Sequence, residues 1–574
     1  MSAARERDLT PLPDLVHDGP FAGPVRTRRP VYVDLLPPCN NACPAGEDIQ
    51  GWLAAVGEKD YAGAFDILTR DNPLPAVMGR VCYHPCEDVC NRCELDDAVS
   101  IHAVERFVGD EAARTGRSFE ITARGAERGQ AGATAGNSVA PAAGTRVLVI
   151  GAGPSGLSAA YHLARRGHQV EIRDAGAEPG GMMRYGIPAY RLPREVLAAD
   201  IARIERLGVT FTMNHNVTDL EAERQGFDAV FVAVGAHLSK HAEIPAKDAT
   251  RIIDAVPFLR DVAAGGQPVL GRRVAVYGGG NTAMDAARTA KRLGADDTLI
   301  VYRRNREKMP AHEEEAAAAE IEGVTINWLR TISGFDGPAM TVEVMELDES
   351  GYPRPTGRVE TLEADTLILA LGQDADTTFL RQVPGVTFSM DGTVAVDGQM
   401  MTGCPGVFAG GDMVPAERTV TVSVGHGKKA ARAIDAYLRE ITQPGRPKHE
   451  LAEFGKLHPW YFAESQHHQG TERAVASRTA NFAEVVGGLT EDAAVSEAAR
   501  CLSCGNCFEC DGCLGSCPED AVIKLGPGLR YEFDYQRCTG CGTCYDQCPV
   551  HAIDLLAAAG PAADEFVFEE GARS

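Results

Sequence analysis

The 574-residue chain carries 56 Lys and Arg against 80 Asp and Glu, a formal net charge of −24. That acidity argues against a nucleic-acid binder, because holding phosphate demands a basic face. No window approaches the roughly 20 apolar residues of a membrane-spanning helix. The charged start, Met1 to Thr10, lacks the apolar core of a signal peptide, so a cytoplasmic protein of several domains is expected. Its 17 cysteines stand at short spacings that suit metal ligation better than a disulfide framework.

In chain order, residues 1–30 are charged and rich in proline and are expected as a tail. A helical domain with six cysteines is expected over 31–123: Cys39 and Cys43, then Cys82, Cys86, Cys90 and Cys93. Ile49 to Leu68 has amphipathic helical character, with Ile49, Leu53, Val56, Phe65 and Leu68 as its apolar set. A spacing of four predicts Cys86 and Cys90 on one helical face, with Pro85 in the first turn. Six cysteines with few other long apolar clusters favour ligation over buried free thiols. Residues 124–144, rich in Ala, Gly, Thr and Ser, read as a linker.

Order resumes at Arg146. The run Val147–Ile150 predicts a buried parallel strand that enters Gly151-Ala152-Gly153-Pro154-Ser155-Gly156 and then a helix. Gly151 permits the tight turn, Gly153 lets the backbone approach a pyrophosphate, and Gly156 allows close helix–strand packing. The next strand ends at Asp174, placed to accept from ribose hydroxyls. A second copy runs from Arg273 into Gly278-Gly279-Gly280-Asn281-Thr282-Ala283, and its following strand ends in Arg303-Arg304. Two guanidinium groups there would pair with a 2′-phosphate, which favours NADPH over NADH, although a solvated loop is the plainer alternative.

Two nested Rossmann-like domains are therefore expected in an α/β fold. The first takes 145–240 and 366–445, the second 241–365. Strands are predicted at 229–236, 367–372 and 406–412, and a helix from Val420 to Tyr437. Glu313 to Glu315 read as a solvated helix start, Lys428 and Lys429 as surface charges, and Cys404 as structural. The stretch 446–500, with His458, His467 and His468, reads as a solvated connector.

The last domain, 501–560, is expected to be an α+β ferredoxin-like unit before a tail over 561–574. Cys507, Cys510, Cys513 and Cys517 form C-x2-C-x2-C-x3-C followed by Pro518; Cys538, Cys541, Cys544 and Cys548 repeat it before Pro549. Two such runs are the ligand set of two [4Fe-4S] clusters, in which each run's fourth cysteine ligates the other run's cluster. Paired zinc sites are the alternative, but zinc needs only C-x2-C hooks.

Together these residues carry a family resemblance. Cys39-x3-Cys43-Pro44, Gly79-Arg80-Val81-Cys82, Gly151 to Leu157, Gly180-Gly181-Met182-Met183, Gly278 to Asp285, Tyr302-Arg303-Arg304 and Ala409-Gly410-Gly411-Asp412 resemble the small (beta) subunit of glutamate synthase and its relatives. The resemblance implies FAD in the first nucleotide site and NADPH in the second. Gly181, Gly411 and Asp412 would then lie along the flavin nucleotide and Thr419 near its ring.

The ferredoxin-like extension is similar to that of flavoprotein subunits serving 2-oxoacid or aldehyde oxidoreductases. The resemblance thus implies electron transfer between NADPH, FAD and [4Fe-4S] clusters and a ferredoxin or partner subunit, with hydride moved by cofactors and no catalytic acid or base. A glutamate synthase subunit or a non-turnover cluster scaffold are the alternatives. The family's extra C-x2-C pair is missing before Cys39, and Cys501 and Cys504 resemble it, relocated. These two are expected to complete two N-terminal clusters with the six upstream cysteines. Alternatively a non-cysteine ligand near Glu105 serves, and Cys93 is idle.

Overall fold

The computed structural model describes residues 26–119, 144–241, 244–245, 251–442, 449–526 and 528–557. Most of the expected N-terminal tail, nearly all of the 124–144 linker and the tail from 561 lie outside them.

Two parallel five-stranded sheets form the centre. The first has the strand order Val407–Ala409, Ala229–Val232, Arg146–Ile150, Gln169–Arg173, Thr210–Thr212. Its middle strand is buried from Val147 to Ile150, as its uninterrupted apolar run requires. The helix Pro154–Arg165 leaves this strand and packs along Val420–Leu438. The second sheet runs Val324–Trp328, Asp297–Tyr302, Arg273–Tyr277, Thr366–Leu369, Arg251–Asp254. Thr366–Leu369 pairs there with Arg273–Tyr277 and Arg251–Asp254, so the boundary expected at 366 is corrected: this strand completes the second sheet. A short antiparallel pair, Leu238–Ser239 with Gln373–Asp374, carries the chain between the two.

The N-terminal segment departs from the sequence expectation at two helices and one strand. The stretch from Ile49 to Leu68 is two helices, Ile49–Gly57 and Tyr61–Leu68, because Lys59 takes a left-handed φ of 60° and Asp60 caps the second. Their apolar faces still meet as expected, with Trp52, Leu53, Val56, Phe65 and Leu68 buried. The helix expected through Cys86 and Cys90 ends at Asp88, and Cys90 opens the next turn, Asn91–Glu94. The expected tail ends earlier than residue 30, since Arg28–Tyr32 pairs antiparallel with Ile553–Ala557, from Arg28 opposite Ala557 to Tyr32 opposite Ile553.

The C-terminal unit also holds the hairpin of Val522–Lys524 with Tyr531–Phe533. The stretch expected as a solvated connector instead packs back over the molecule. His458 Nδ1 lies 2.8 Å from the Cys548 carbonyl and His467 Nε2 2.6 Å from Ser100 Oγ. The helix Glu491–Ala499 lies on Ile49–Gly57, with Glu497 and Arg500 buried beside it.

Candidate functional site

The first strand–turn–helix unit makes an open cradle. Gly151 has φ 110°, a region that disfavours L side chains, and a Cβ there would strike the Ala233 carbonyl. Nothing lies within 4 Å of a Cβ at Gly153, so that face is open for close approach. The helix Pro154–Arg165 begins there without a side-chain cap, leaving its first N–H groups to an anion. The Ser155 hydroxyl in this first turn is buried and has no hydrogen-bond partner. An orphaned donor at a helix N-terminus fits a dinucleotide pyrophosphate.

Gly181 presses on Gly153, with 2.8 Å from its ideal Cβ to the Gly153 Cα. The Gly180 amide donates to the Ala152 carbonyl at 2.9 Å. Asp174 accepts from the amides of Ala152 and Gly176, each at 2.6 Å, so its carboxylate also braces the turn. Across the cradle Gly411 faces Ser155, and its amide donates to His426 Nδ1 at 3.2 Å, a residue that sequence reading missed. Asp412 accepts from Ser423 Oγ at 3.2 Å, and burial raises its carboxyl above the usual range. Thr419 caps the helix Val420–Leu438 by accepting from the Val422 amide.

The second cradle repeats the geometry. Gly278 has φ 147°, and Gly280 is as open as Gly153 at the uncapped start of Asn281–Arg292. Asn281 Oδ1 accepts from the His312 amide at 3.0 Å, and Thr282 Oγ1 from Gln373 Nε2 at 3.2 Å. Ala283 is fully buried. Beyond the adjacent strand Arg303 is exposed, while the Nε of Arg304 is buried with no hydrogen-bond partner. Glu315 was expected to be solvated. It is 13% exposed and pairs with both Arg191 and Arg288, and Arg191 also grips Asp285 at 3.0 Å. This buried network joins the two nucleotide units.

Fifteen of the 17 cysteines fall into four groups. Cys39 and Cys90 meet Cys501 and Cys504 around one pocket, which Pro38, Gln50 and Leu53 help to line. Cys43, Cys82 and Cys86 form another group, and the buried carboxylates Glu105 and Glu47 neighbour Cys43 and Cys82. Cys501 and Cys504 therefore complete one group rather than two, because the break after Asp88 sends Cys86 and Cys90 to different sites. Cys93 joins neither: it is exposed and lies against the Glu87 carbonyl.

Burial pushes these thiols up, with the Glu105 and Glu47 carboxylates adding to it at Cys82 and neighbouring thiolates at Cys501 and Cys504: Cys82 and Cys501 to about 12 and Cys504 to about 11. Ionised together they need a cationic core, which iron supplies. Glu105 is likewise raised by burial and by Glu47, and both carboxylates accept from Asn72 Nδ2, Glu105 at 2.7 Å and Glu47 at 3.0 Å. The Thr421 hydroxyl donates to Cys82 Sγ at 3.1 Å. Lys428, expected on the surface, is 5% exposed, donates to the Ala45 and Gly46 carbonyls at 2.7 and 2.9 Å, and pairs with Asp71.

In the C-terminal unit Cys507, Cys510 and Cys513 share a pocket with Cys548. Cys538 interacts with both Cys517 and Cys541, and Cys544 with Cys538 and Cys541. This is the exchanged fourth ligand of a doubled ferredoxin. Cys541 is exposed in the second group. Cys404, expected to be structural, is buried apart from all four groups.

Three family models match in succession: dihydropyrimidine dehydrogenase domain II, 4Fe-4S cluster, over 34–117; pyridine nucleotide-disulphide oxidoreductase over 145–427; and 4Fe-4S binding domain over 531–554. The NADP(+)-dependent formate dehydrogenase subunit beta of Moorella thermoacetica is 38% identical over 81% of this chain and 70% of its own length. The NADPH-Fe(3+) oxidoreductase subunit beta of Geobacter sulfurreducens is 34% identical over 81% of this chain and 75% of its own. The NAD-dependent dihydropyrimidine dehydrogenase subunit PreT of Escherichia coli is 35% identical over 70% of this chain and 91% of its own. No helix among the described residues is long and apolar enough to cross a membrane.

Proposed function

For this chain, which belongs to the family of FAD- and iron–sulfur-containing NAD(P)H oxidoreductase subunits, we propose a route of electrons between NADPH and a partner redox subunit or ferredoxin. FAD and [4Fe-4S] clusters, when bound, supply the conversion between two-electron hydride chemistry and single-electron transfer. The residues of the chain bind, orient and insulate. Gly153, Ser155 and Gly411 would hold the flavin nucleotide, and Gly280, Thr282 and Ala283 the nicotinamide nucleotide. Arg303 and Arg304 would pair with a 2′-phosphate and so prefer NADPH. Glu105 would supply the fourth ligand to Cys43, Cys82 and Cys86.

The observation that carries the proposal is the continuity of the sites. The helix capped by Thr419 at the first cradle reaches Cys82 through Thr421. The neighbouring cysteine group includes Cys501 and Cys504, and the Gly505 amide donates to the Val550 carbonyl at 2.7 Å, beside Cys548. The last group ends at the exposed Cys541, the outlet to a partner. Names of relatives such as the formate dehydrogenase subunit favour another subunit of a redox complex as that partner. Anaerobic mixing with NADPH, followed by flavin absorbance and cluster EPR signals, tests this. A flavin that fails to bleach, or one that bleaches while every cluster stays oxidised, refutes the route.

A further inference from the structure

His84, Glu87 and His102 stand outside the cysteine groups, and their ligand atoms lie within 4.8 Å of one another. His84 Nε2 is 3.8 Å from Glu87 Oε2, and His102 Nδ1 is 2.9 Å from Glu87 Oε1. The imidazoles meet edge to face, with ring centroids 4.2 Å apart. Around a tetrahedral zinc with bonds of about 2.0–2.1 Å, neighbouring ligand atoms are roughly 3.3 Å apart. The two separations from Glu87 bracket that edge, and with all three ligand atoms inside 4.8 Å side-chain rotations would seat an ion.

The local backbone presents these groups together. His84 takes φ 38° directly before Pro85, a conformation that pre-proline residues avoid. Three residues later Glu87 lies in the first helical turn, and it accepts from the backbone amide of His102 at 2.8 Å. The three side chains are 14%, 16% and 32% exposed, enclosed yet reachable from solvent. A fourth donor is offered by another domain: Glu314, 76% exposed on the helix Glu313–Ile321 of the second nucleotide unit, has Oε2 3.7 Å from His84 Nε2 but stands outside the three-residue set, so its side chain must rotate inward when an ion binds. Beside it Tyr83 stacks on His312 at 3.5 Å between centroids, 8° from parallel.

We infer that His84, Glu87, His102 and Glu314 form a site for a divalent transition cation of the zinc class, bridging the N-terminal cluster domain and the second nucleotide domain. Two imidazoles and two carboxylates suit zinc, and closed four-coordination by protein suits a structural role. Three ligands on one domain and one on the other make the ion a clamp. Occupied, it holds the second nucleotide domain against the N-terminal one; empty, it leaves that contact to packing such as the Tyr83–His312 stack.

Binding is measured on the cluster-loaded protein by anaerobic equilibrium dialysis against zinc with elemental analysis. A Cys93→Ser background removes the exposed thiol, and iron is counted in parallel to show that the clusters stay intact. One zinc per chain is expected, weakened at least tenfold in His102→Gln, which preserves side-chain bulk, and in His84→Ala. Equal zinc affinity in both variants at unchanged iron content overturns the site. Zinc is also expected to slow flavin bleaching by NADPH in the parent but not in Glu314→Gln; equal slowing in both overturns the clamp. The dialysis result does not depend on turnover, so it stands apart from the electron-transfer route.

Discussion

Replacing Cys501 and Cys504 with Ser removes two thiolates from one cysteine group. Both face Cys39 and Cys90, while Cys43, Cys82 and Cys86 keep one another and Glu105. Four sites of four irons predict about sixteen irons per chain, so the double variant should hold about twelve. The assay is iron and acid-labile sulfide per chain after anaerobic reconstitution, with EPR of the reduced protein. One signal should vanish while the coupled pair of the C-terminal unit persists. The Cys93→Ser variant should keep its full iron, because Cys93 lies against the Glu87 carbonyl, outside the pocket that Cys39, Cys90, Cys501 and Cys504 line. Loss of about eight irons would mean that Cys501 and Cys504 serve two clusters, and undiminished iron that they serve none. Either result refutes the grouping.

Three further perturbations probe the route. Thr421→Val deletes the hydroxyl that donates to Cys82 Sγ at 3.1 Å; hydrogen bonds to cluster sulfurs raise the potential, so one cluster should titrate at a more negative midpoint by EPR. Changing Arg303 and Arg304 together to Ala removes the charged donors proposed for the 2′-phosphate, each worth about 1.5–3 kcal/mol. The kcat/KM for NADPH should fall by roughly a hundredfold or more while that for NADH holds, measured as steady-state reduction of an artificial acceptor. Lys428→Met leaves Asp71 without its buried partner and the Ala45 and Gly46 carbonyls without their donor, and should cost about 3–5 kcal/mol. Urea unfolding followed by flavin fluorescence checks it, and an unshifted midpoint would contradict the ion pair.

Local spacing made much of this molecule readable in its sequence. The apolar run before Gly151 and the glycines after it encode strand, turn and helix within one short segment, and each C-x2-C-x2-C-x3-C run encodes its own loop. Partition between groups was harder, because it depends on where backbone elements end. Cys86 and Cys90 are spaced for one helical face, yet His84 before Pro85 starts a helix that stops at Asp88. Lys428 carries a charge that suggests a surface, but the helix Val420–Leu438 is covered both by Pro154–Arg165 and by the segment around Ala45. Only tertiary packing reveals that.

The same limit hid the pairing of Arg28–Tyr32 with Ile553–Ala557, since neither strand declares a partner more than 500 residues away. That pairing gives the molecule its logic. The first strand joins the last domain, Cys501 and Cys504 join the first cysteines, and Gly505 bonds to Val550. Segments far apart in the sequence thus build the same cysteine-bearing units. An electron path assembled from both ends stays continuous only while the whole chain is folded, so the cluster sites and the nucleotide cradles are expected to fail together on unfolding.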